Sequence, residues 1–294
     1  MRVLRDADVE AGLSPGEAVK AARGAVIAAY RRELAAPARI RADGGATTYV
    51  FTVGGQAGGP SGFRAYGLWP NGGDQIVAVW QPDGSLAGVV VGSALGAYRT
   101  GALGGVAVDA LAAPDATVCA LIGAGAQAWT QIWAISAIRP LTDVRVMCRT
   151  AATRDALAAR ISGVLGVHAH PVADPQEAVA GADVVVTATT SGSPVIETEW
   201  LARGCHVTTV GPKFRDGSEV PSALADIASV VVSDSPEQAL ATGSWFSNRP
   251  PQHLGAVLTG DAPGRGARDD TTLYCSTGLA GSEIVLADRL MRDG

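Results

Sequence analysis

A lysine in a Gly-Pro turn is the first residue of this sequence that could carry chemistry. The chain has only two lysines, Lys20 and Lys213, and arginine supplies the rest of its 23 basic side chains. Lys213 follows a short apolar run in the stretch HVTTVGPKFRDGSE. A lysine that is partly withdrawn from water can act as a general acid or base, whereas arginine stays protonated. Lys213 is therefore either a catalytic group or a solvated loop residue that pairs with Asp216 or Glu219.

A glycine-rich turn, LIGAGAQA, predicts a dinucleotide site. Its pattern is G-x-G-x-x-A, with Gly123, Gly125 and Ala128, and it lies between a predicted strand and a predicted helix. The first glycine allows a tight turn, and the second lets the backbone approach a pyrophosphate. The helix N-terminus, at Ala126 and Gln127, attracts the negative charge. The alternative is a glycine-rich turn that binds no ligand.

The residues that end the next strand indicate which dinucleotide binds. NAD sites usually carry Asp or Glu there, which accepts hydrogen bonds from the ribose diol. This chain has Arg149 and Thr150, within MCRTAATR. The planar guanidinium suits a phosphate, and no acid stands there to repel one. We therefore expect NADP(H) to be favoured over NAD(H), unless Arg149 only stacks on adenine and tolerates both.

Cysteine and histidine spacing predicts no metal site and no redox pair. The four cysteines are far apart in the sequence and form no CxxC motif. The four histidines show no metal-ligand spacing, and His168 and His170 are interpreted as surface or strand residues.

Charge and hydropathy exclude two classes of partner. The net charge is −5 and the sequence has no basic tract, which argues against nucleic acid. No apolar segment is long enough to span a bilayer, and the N-terminus MRVLRDADVE does not resemble a signal peptide. We therefore expect a cytoplasmic protein without a membrane partner.

The elements that position these residues change in character near Pro114. Before it, an Ala-rich helix is followed by antiparallel-looking strands and by a long Ala/Gly/Leu helix; the strand candidates are 46–52, 62–69, 75–81 and 86–91. Beyond it, apolar strands alternate with helical or loop segments, at 117–123, 143–149, 182–189, 205–211 and 229–234. Continuous apolar strands joined by crossovers predict a Rossmann-type, doubly wound parallel sheet, so the fold class is α/β. A polar loop at 263–274 precedes a closing helix.

Several motifs together resemble the ornithine cyclodeaminase/mu-crystallin family. They are YRTGALGG, LIGAGAQA, ADVVVTATTSGSPVI, VGPKFRDGSE and STGLAGSE, in this order along the chain. The resemblance implies a homodimer with two domains. Residues 1–113, joined by the C-terminal helix 278–294, would form an α+β domain for substrate binding and dimerisation. Residues 114–277 would form the NAD(P)-binding Rossmann domain.

The resemblance also extends the cofactor site. Thr189, Val210 and Gly211, near the ends of two further strands, are assigned to it, and the loop that carries Lys213 is expected to face the nicotinamide and the substrate. The CRT segment that contains Arg149 resembles the NADPH-using mu-crystallin branch more than the NAD-using cyclodeaminases.

Members of this family bind a substrate carboxylate with a cluster of cations, and three arginines match that cluster. Arg39 lies in PAR, Arg99 in YRTGA, and Arg64 in GFRAYGLWPN, where it replaces the usual active-site lysine. A guanidinium can hold a carboxylate through two charge-assisted hydrogen bonds. Arg64 can clamp a carboxylate or polarise a carbonyl, but it cannot act as a general acid. We therefore predict two catalytic residues: Arg64, which binds or polarises the substrate, and Lys213, which acts as the acid or base.

Other positions also depart from the family pattern. Lys213 stands where the cyclodeaminases carry an aspartate, Val91 where many members carry an acid, and Gly96 where they carry threonine. Glu283 replaces the usual aspartate of the closing helix. These departures predict a substantially rewritten substrate pocket.

The resemblance implies an NADPH-dependent reductase of the C=N bond of a small imino acid, or a dehydrogenase in the reverse direction. A protonated iminium is already electrophilic, so such a reaction tolerates the loss of the lysine. One alternative is a cyclodeaminase-like lyase, which is disfavoured because both its lysine and its aspartate are replaced. The other is a non-catalytic protein like mu-crystallin that binds NADPH and a small carboxylate.

Overall fold

The computed structural model describes residues 1–241 and 245–292 of the chain. Its strands are β1 (Arg2–Leu4), β2 (Leu34–Ala35), β3 (Ile40–Asp43), β4 (Thr48–Gln56), β5 (Ser61–Gly67), β6 (Gln75–Trp80), β7 (Leu86–Gly92), β8 (Val118–Ile122), β9 (Asp143–Met147), β10 (Ala169–Val172), β11 (Val184–Thr187), β12 (His206–Thr209), β13 (Lys213–Phe214), β14 (Gly217–Ser218), β15 (Val230–Ser233), β16 (Gln252–His253) and β17 (Thr272–Cys275). Its α-helices are α1 (Asp6–Gly12), α2 (Pro15–Tyr30), α3 (Ala94–Leu111), α4 (Ala126–Ile135), α5 (Ala151–Leu165), α6 (Pro175–Val179), α7 (Ala223–Ile227), α8 (Pro236–Ala241), α9 (Leu254–Thr259) and α10 (Ser282–Arg292). A short 3-10 helix spans Thr198–Trp200.

The chain forms two compact units, which are described separately. The first contains Met1–Arg99 and the segment from Gly278 onward, and the second contains Thr100–Thr277. The division falls inside α3, between Arg99 and Thr100, rather than after residue 113.

The second unit is built on a parallel sheet in the strand order β10-β9-β8-β11-β12-β17-β15-β16. The central strands are fully buried, because their side chains are apolar or small along their whole length, as in the VVVT of β11 and the VVVS of β15. Burial of both faces is what continuous apolar strands require. The order from β10 to β12 is that of a dinucleotide-binding fold, with a reversal between β8 and β11. The predicted α/β, Rossmann-type fold class is confirmed.

The prediction of an unbroken polar loop at 263–274 is wrong at its end. Residues Thr272–Cys275 form β17, which lies in the middle of the sheet between β12 and β15. Tyr274 has no exposed surface. The sequence does not indicate this strand, because its four residues, which follow charged and hydroxyl side chains, are too few to show an alternating or a continuous apolar pattern.

The sheet of the first unit is mixed, with β1 parallel to β7 and the strands from β4 to β7 antiparallel. Cross-strand partners share a face, so Thr52, Arg64 and Val77 lie together on one side, which we call the inner face. Helix α10 packs against β4–β7 and against α2. The opposite, outer face carries Tyr49 and Ile76, which are 39% and 44% exposed.

Among the described residues, none of the helices combines the length and the apolar character that a membrane span requires.

Candidate functional site

The predicted cofactor residues converge where the strand order of the parallel sheet reverses. A cavity of about 650 Å³ lies at the carboxyl ends of β8, β9 and β11, and we call it the dinucleotide cavity. Its lining residues are Ile122, Gly123, Ala124, Gly125, Met147, Cys148, Arg149, Thr150, Thr153, Ala188, Thr189, Thr190, Ser191, Gly192 and Val195. Ligands of open α/β sheets bind at this kind of position, because the loops on either side of the reversal diverge.

Gly123 is required by the backbone of the turn that follows β8. Its φ is +118°, in the region that disfavours side chains. A Cβ atom at this position would lie 2.3 Å from the carbonyl oxygen of Ala188, at the end of β11. The amide of Gly123 donates to the oxygen of Met147, at 2.8 Å, so the turn is also held by the neighbouring strand β9. Any larger residue would push apart the two strand ends that form the cavity.

At Gly125, the lack of a side chain leaves space for a ligand rather than relieving a clash within the protein. It is the N-cap of α4, and an added Cβ would meet no atom within 4 Å. The space above it is open, so a ligand can approach the backbone closely. The amides of Ala126, Gln127 and Ala128 follow it in the first turn of a ten-residue helix, where backbone N–H groups have no intrahelical acceptor. No acidic side chain occupies that turn, so these residues fit a pyrophosphate.

Arg149 and Thr150 lie on the cavity wall beyond β9, and both are exposed. Thr150 is also the N-cap of α5. Among the described lining residues, Arg149 is the only charged one. The wall therefore offers a guanidinium, with no carboxylate beside it, where the ribose of a dinucleotide would lie.

Val210 and Gly211, the remaining predicted cofactor residues, bind the carboxylate of Glu219, which the sequence suggested only as a partner of Lys213 and not for this role. Oε1 of the fully buried Glu219 accepts hydrogen bonds from the amides of Val210, at 3.1 Å, and Gly211, at 2.6 Å. It also accepts from the hydroxyls of Thr187, at 2.9 Å, and Thr209, at 2.8 Å.

The second oxygen of Glu219 binds the loop that follows β11. It accepts from the amide and the hydroxyl of Thr189, each at 2.8 Å. One side chain therefore fixes the carboxyl ends of both β11 and β12, and Thr189 lies on the cavity wall. The signal in the sequence was the threonine at the end of each of these strands, but only the fold shows that they share an acceptor.

Lys213 is buried, with 6% of its surface exposed, so the alternative of a solvated loop lysine is wrong. It begins the two-strand hairpin of β13 and β14, after the Gly-Pro turn. Its Nζ donates to the carbonyl oxygens of Val210, at 3.2 Å, and Gly211, at 2.7 Å. The ammonium therefore lies against the same loop whose amides bind Glu219.

The first unit gathers the three predicted carboxylate-binding residues, Arg39, Arg64 and Arg99, which we call the arginine cluster. Arg64 lies on β5 and faces inward, with 7% of its surface exposed. Its Nε donates to Oε1 of Gln75 at 2.9 Å, and its guanidinium carbon lies 4.5 Å from the ring centroid of Tyr66. Burial, followed by the charge of Arg99, lowers the pKa of Arg64 to about 10. It therefore remains a cation at neutral pH.

Arg99 and Arg39 converge on Gly278. Arg39 Nη2 donates to the carbonyl oxygen of Gly278 at 3.1 Å. Gly278 has φ +80°, and a Cβ there would lie 2.6 Å from Nη1 of Arg99 and 2.7 Å from Nη2 of Arg39. Glycine thus lets the two guanidinium groups approach each other. Within the described part of the chain, the buried Nε and Nη1 of Arg99 have no hydrogen-bond partner.

One carboxylate, Glu283 in the first turn of α10, balances the cluster only in part. Its Oε2 lies 3.9 Å from Nε of Arg99, and its Oε1 accepts from the hydroxyl of Thr52 at 2.7 Å. Burial would raise the pKa of Glu283, but Arg99, Arg64 and the Thr52 hydroxyl together hold it below its ordinary value. Among the described residues, Arg99 and Arg64 act on this ionised carboxylate, and Arg39 lies near Arg64. This gathering of guanidinium groups fits the binding of a further anion.

Two departures from the family pattern prove to be coupled in space. A Cβ at Gly96 would lie 2.9 Å from Nη2 of Arg64 and 3.0 Å from Oε1 of Gln75. The longer arginine therefore occupies room that a threonine at position 96 would need. A side chain at position 96 would thus press on the guanidinium of Arg64, so Arg64 and Gly96, two of the predicted departures from the family, lie in contact.

Comparison with known proteins agrees with this arrangement. A sequence model of the ornithine cyclodeaminase/mu-crystallin family matches residues 76–293. The Delta(1)-pyrroline-2-carboxylate reductase of Bacillus cereus is 35% identical over 217 residues, which cover 70% of this chain and 66% of that protein. The ketimine reductase mu-crystallin of Mus musculus is 29% identical over 212 residues, covering 70% of this chain and 64% of that protein. The match spans less than two thirds of either relative.

A solved structure covers nearly the whole chain. The iminosuccinate reductase of Paracoccus denitrificans, in complex with NAD+, has a TM-score of 0.88 at 26% identity. The superposition covers 99% of this chain and 95% of that one. With the family match over most of the sequence, this chain belongs to the ornithine cyclodeaminase/mu-crystallin family.

Proposed function

We propose that this protein is an NAD(P)H-dependent oxidoreductase that reduces the C=N bond of a small imino acid, or oxidises the corresponding amine in reverse. The observation that carries this proposal is the arginine cluster, in which Arg39, Arg99 and the ionised carboxylate of Glu283 all lie near Arg64. Such a cluster suits the carboxylate next to a C=N bond. The names of the relatives, a pyrroline-2-carboxylate reductase and an iminosuccinate reductase, support the same chemistry.

The residues of this chain would bind and orient rather than supply redox chemistry. A bound NAD(P)H supplies the hydride. The turn at Gly123 and Gly125 and the first amides of α4 would hold its pyrophosphate, and Arg149 and Thr150 its adenosine half. The arginine cluster would fix the substrate carboxylate, and thereby the direction from which the carbon is presented.

Proton chemistry at the substrate nitrogen falls to Lys213 in this proposal. Arg64 keeps its proton at neutral pH, because its pKa of about 10 is still well above it. Lys213 is buried and held by two carbonyl oxygens, so its ammonium has a fixed position. A substrate that arrives as a protonated iminium needs no proton before hydride transfer. In the reverse reaction, Lys213 in its neutral form would accept a proton from the substrate ammonium before the hydride leaves.

We further propose that NADPH is preferred over NADH. Support comes from the described lining of the dinucleotide cavity, whose only charged residue is Arg149 and which contains no acid. An arginine in this place can pair with a 2′-phosphate, whereas a diol-binding acid would repel it.

We also propose a homodimer formed through the outer face of the first unit's sheet. Tyr49, Phe51 and Val53 on β4 lie beside Phe63, Ala65 and Ile76 on the next two strands, so an apolar face runs across the sheet. Val53 and Ile76 are 40% and 44% exposed. A second copy of the same face is an occupant of matching chemistry. Ile76→Glu should convert a dimer into a monomer in size-exclusion chromatography with light scattering, and Val164→Glu, on exposed helix surface, should not.

The function is tested by incubating the purified chain with NADPH and a cyclic imino acid, Delta(1)-pyrroline-2-carboxylate. We expect consumption of NADPH in proportion to the proline formed. A cyclodeaminase would instead release ammonia from ornithine or lysine without net consumption of the dinucleotide. A binding protein would show saturable binding of both ligands by calorimetry and no product, and either result would overturn the proposal.

A further inference from the structure

We propose that Asp143, His168 and His170 form a binding site for a divalent transition metal ion such as Zn²⁺. These residues lie at the edge of the parallel sheet, and one ligand atom of each falls within 4.8 Å of the others. The site belongs to the second unit alone and does not depend on the proposed enzymatic activity.

The pairing of two strands brings the three side chains together. His168 and His170 are two residues apart at the start of β10, so they point to the same side of the strand. Strand β10 pairs in parallel with β9, and the amide of Val144 donates to the carbonyl oxygen of His168 at 2.9 Å. Asp143 begins β9 beside them. The spacing of residues along the chain does not indicate this site, because the carboxylate comes from a different strand.

Two of the three distances between ligand atoms match those of a metal centre, and the third is within 4.8 Å. Nδ1 of His168 and Nδ1 of His170 lie 3.6 Å and 3.2 Å from Oδ1 of Asp143. A tetrahedral ion with bonds of about 2.0–2.2 Å to nitrogen and oxygen separates its ligands by about 3.3–3.6 Å. Among the described residues, neither Oδ1 of Asp143 nor Nδ1 of His170 has a hydrogen-bond partner, although both atoms are shielded from water. An ion bound by all three residues would satisfy both atoms.

The surroundings orient the carboxylate and select the kind of ion. Nε of Arg145 donates to Oδ2 of Asp143 at 2.9 Å, which leaves Oδ1 to face the imidazoles. A hydrogen bond to a ligating carboxylate commonly fixes its orientation. The positive charge of Arg145 disfavours ions that bind through charge alone, whereas imidazole nitrogens favour Zn²⁺, Ni²⁺ or Cu²⁺ over Mg²⁺ and Ca²⁺. The side chain of His168 is 71% exposed, so an ion can enter from solvent and keep water as its fourth ligand.

A bound ion would join the edge strand β10 to β9. Strand β10 has a neighbour on one side only, so its attachment depends on this pairing. Because the ion would bind the folded sheet and not the unfolded chain, it should raise the melting temperature in proportion to its occupancy.

The test uses the full chain, without a histidine tag and after treatment with a chelator, titrated with Zn²⁺ by calorimetry and with Co²⁺ by absorption spectroscopy. We expect one ion per chain, tetrahedral Co²⁺ bands and a Zn²⁺-dependent rise in Tm. His170→Ala should weaken Zn²⁺ binding roughly tenfold or more and abolish the rise in Tm. His168→Ala should do the same.

A matched control is Glu177→Ala, which removes an exposed acid from the neighbouring helix α6 and should leave Zn²⁺ binding unchanged. Unaltered NADPH binding would show that each variant is folded. Failure of the parent chain to bind Zn²⁺, or equal affinity in the parent and both histidine variants, would overturn the proposal. The three residues would then form only a contact between the carboxylate and the two imidazoles.

Discussion

The dinucleotide cavity is formed largely by backbone, whereas the arginine cluster is formed by side chains that come from distant parts of the sequence. In the cavity, Gly123 and Gly125 serve by lacking side chains, and the first amides of α4 offer the anion site. In the cluster, Arg64 and Arg99 are brought to one place by a strand and a helix.

This difference predicts that the cluster tolerates substitution more readily than the cavity does. A substitution in the cavity alters the course of the chain, because Gly123 already lies against Ala188. A substitution in the cluster can be matched by another, as Gly96 makes room for Arg64. We therefore expect substitutions in the cluster to alter substrate binding and leave the cofactor in place, and substitutions at the cavity to do the opposite.

The largest effect is expected at Lys213, which belongs to the cofactor unit but is proposed to act on the substrate. Lys213→Met should slow turnover by roughly 10²–10⁴-fold, the usual contribution of a positioned acid or base. NADPH affinity should be nearly unchanged in calorimetry. Lys20→Met, at the only other lysine and exposed on α2, is the matched control and should have no effect.

The variant would also leave the carbonyl oxygens of Val210 and Gly211 without their donor, so its melting temperature should be recorded. Turnover close to that of the parent, together with a lower Tm, would show that Lys213 only holds its loop. The proposal that the second unit supplies proton chemistry in addition to the cofactor site would then be wrong.

The next effect concerns the arginine cluster. Arg99→Ala removes a buried guanidinium that is expected to make charge-assisted contacts with the substrate carboxylate, each worth about 1.5–3 kcal/mol. We expect KM for the imino acid to rise roughly ten- to a hundredfold, with NADPH affinity unchanged. Arg41→Ala removes an exposed arginine of β3 and should change neither quantity. An equal loss of affinity for the imino acid and for NADPH would contradict the proposal that the two bind at separate sites.

The dinucleotide cavity is easier to predict from the sequence than the arginine cluster, because its key residues are neighbours along the chain. A strand, a turn and a helix follow one another within LIGAGAQA, so local rules predict both the fold and the ligand there. No local rule links residues 39, 64 and 99. Resemblance to a family identified them, and their convergence with Gly278 became visible only in the fold.

The same reasoning accounts for the residues that were missed. Glu219 accepts hydrogen bonds from groups spread over positions 187–211, which no sequence pattern connects. Strand β17 is short and follows polar residues, yet it is central to the sheet. Both depend on long-range pairing, which overrides what a short segment favours by itself.

A smaller effect is expected from Arg149, at the adenosine end of the cavity. The parent should bind NADPH more tightly than NADH, because the guanidinium can pair with the 2′-phosphate. Arg149→Asp should narrow or reverse this preference, by roughly tenfold in the ratio of the two dissociation constants. Calorimetry with each dinucleotide measures it, and the KM for the imino acid should stay constant. Equal affinities of the parent for both dinucleotides would contradict the proposal.

The last comparison concerns stability rather than activity: the response of the two units to acid follows from the titratable groups that each of them buries. The parallel sheet buries His206, whose ring nitrogens lie 2.9 Å and 3.1 Å from the hydroxyls of Thr272 and Thr208. Burial, together with the charges of Arg265 and Arg139, lowers its pKa from 6.5 to about 3. The unfolded chain therefore takes up a proton between these values while the folded chain does not. Stability is lost as pH falls through this window, by at most about 1.4 kcal/mol per pH unit.

The arginine cluster should respond at lower pH, because its buried acid is already ionised in the fold. The pKa of Glu283 lies below the ordinary value of 4.5, so its contribution to stability is present above that pH and is lost only as pH falls through the lower, folded value. Hydrogen exchange from about pH 7 down to pH 4.5 should therefore show β12 losing protection while β5 keeps it. His206→Gln should reduce the slope for β12 and leave that for β5 unchanged. If β5 lost protection first, the charges of the cluster, rather than the neutral imidazole of the sheet, would limit stability in mild acid.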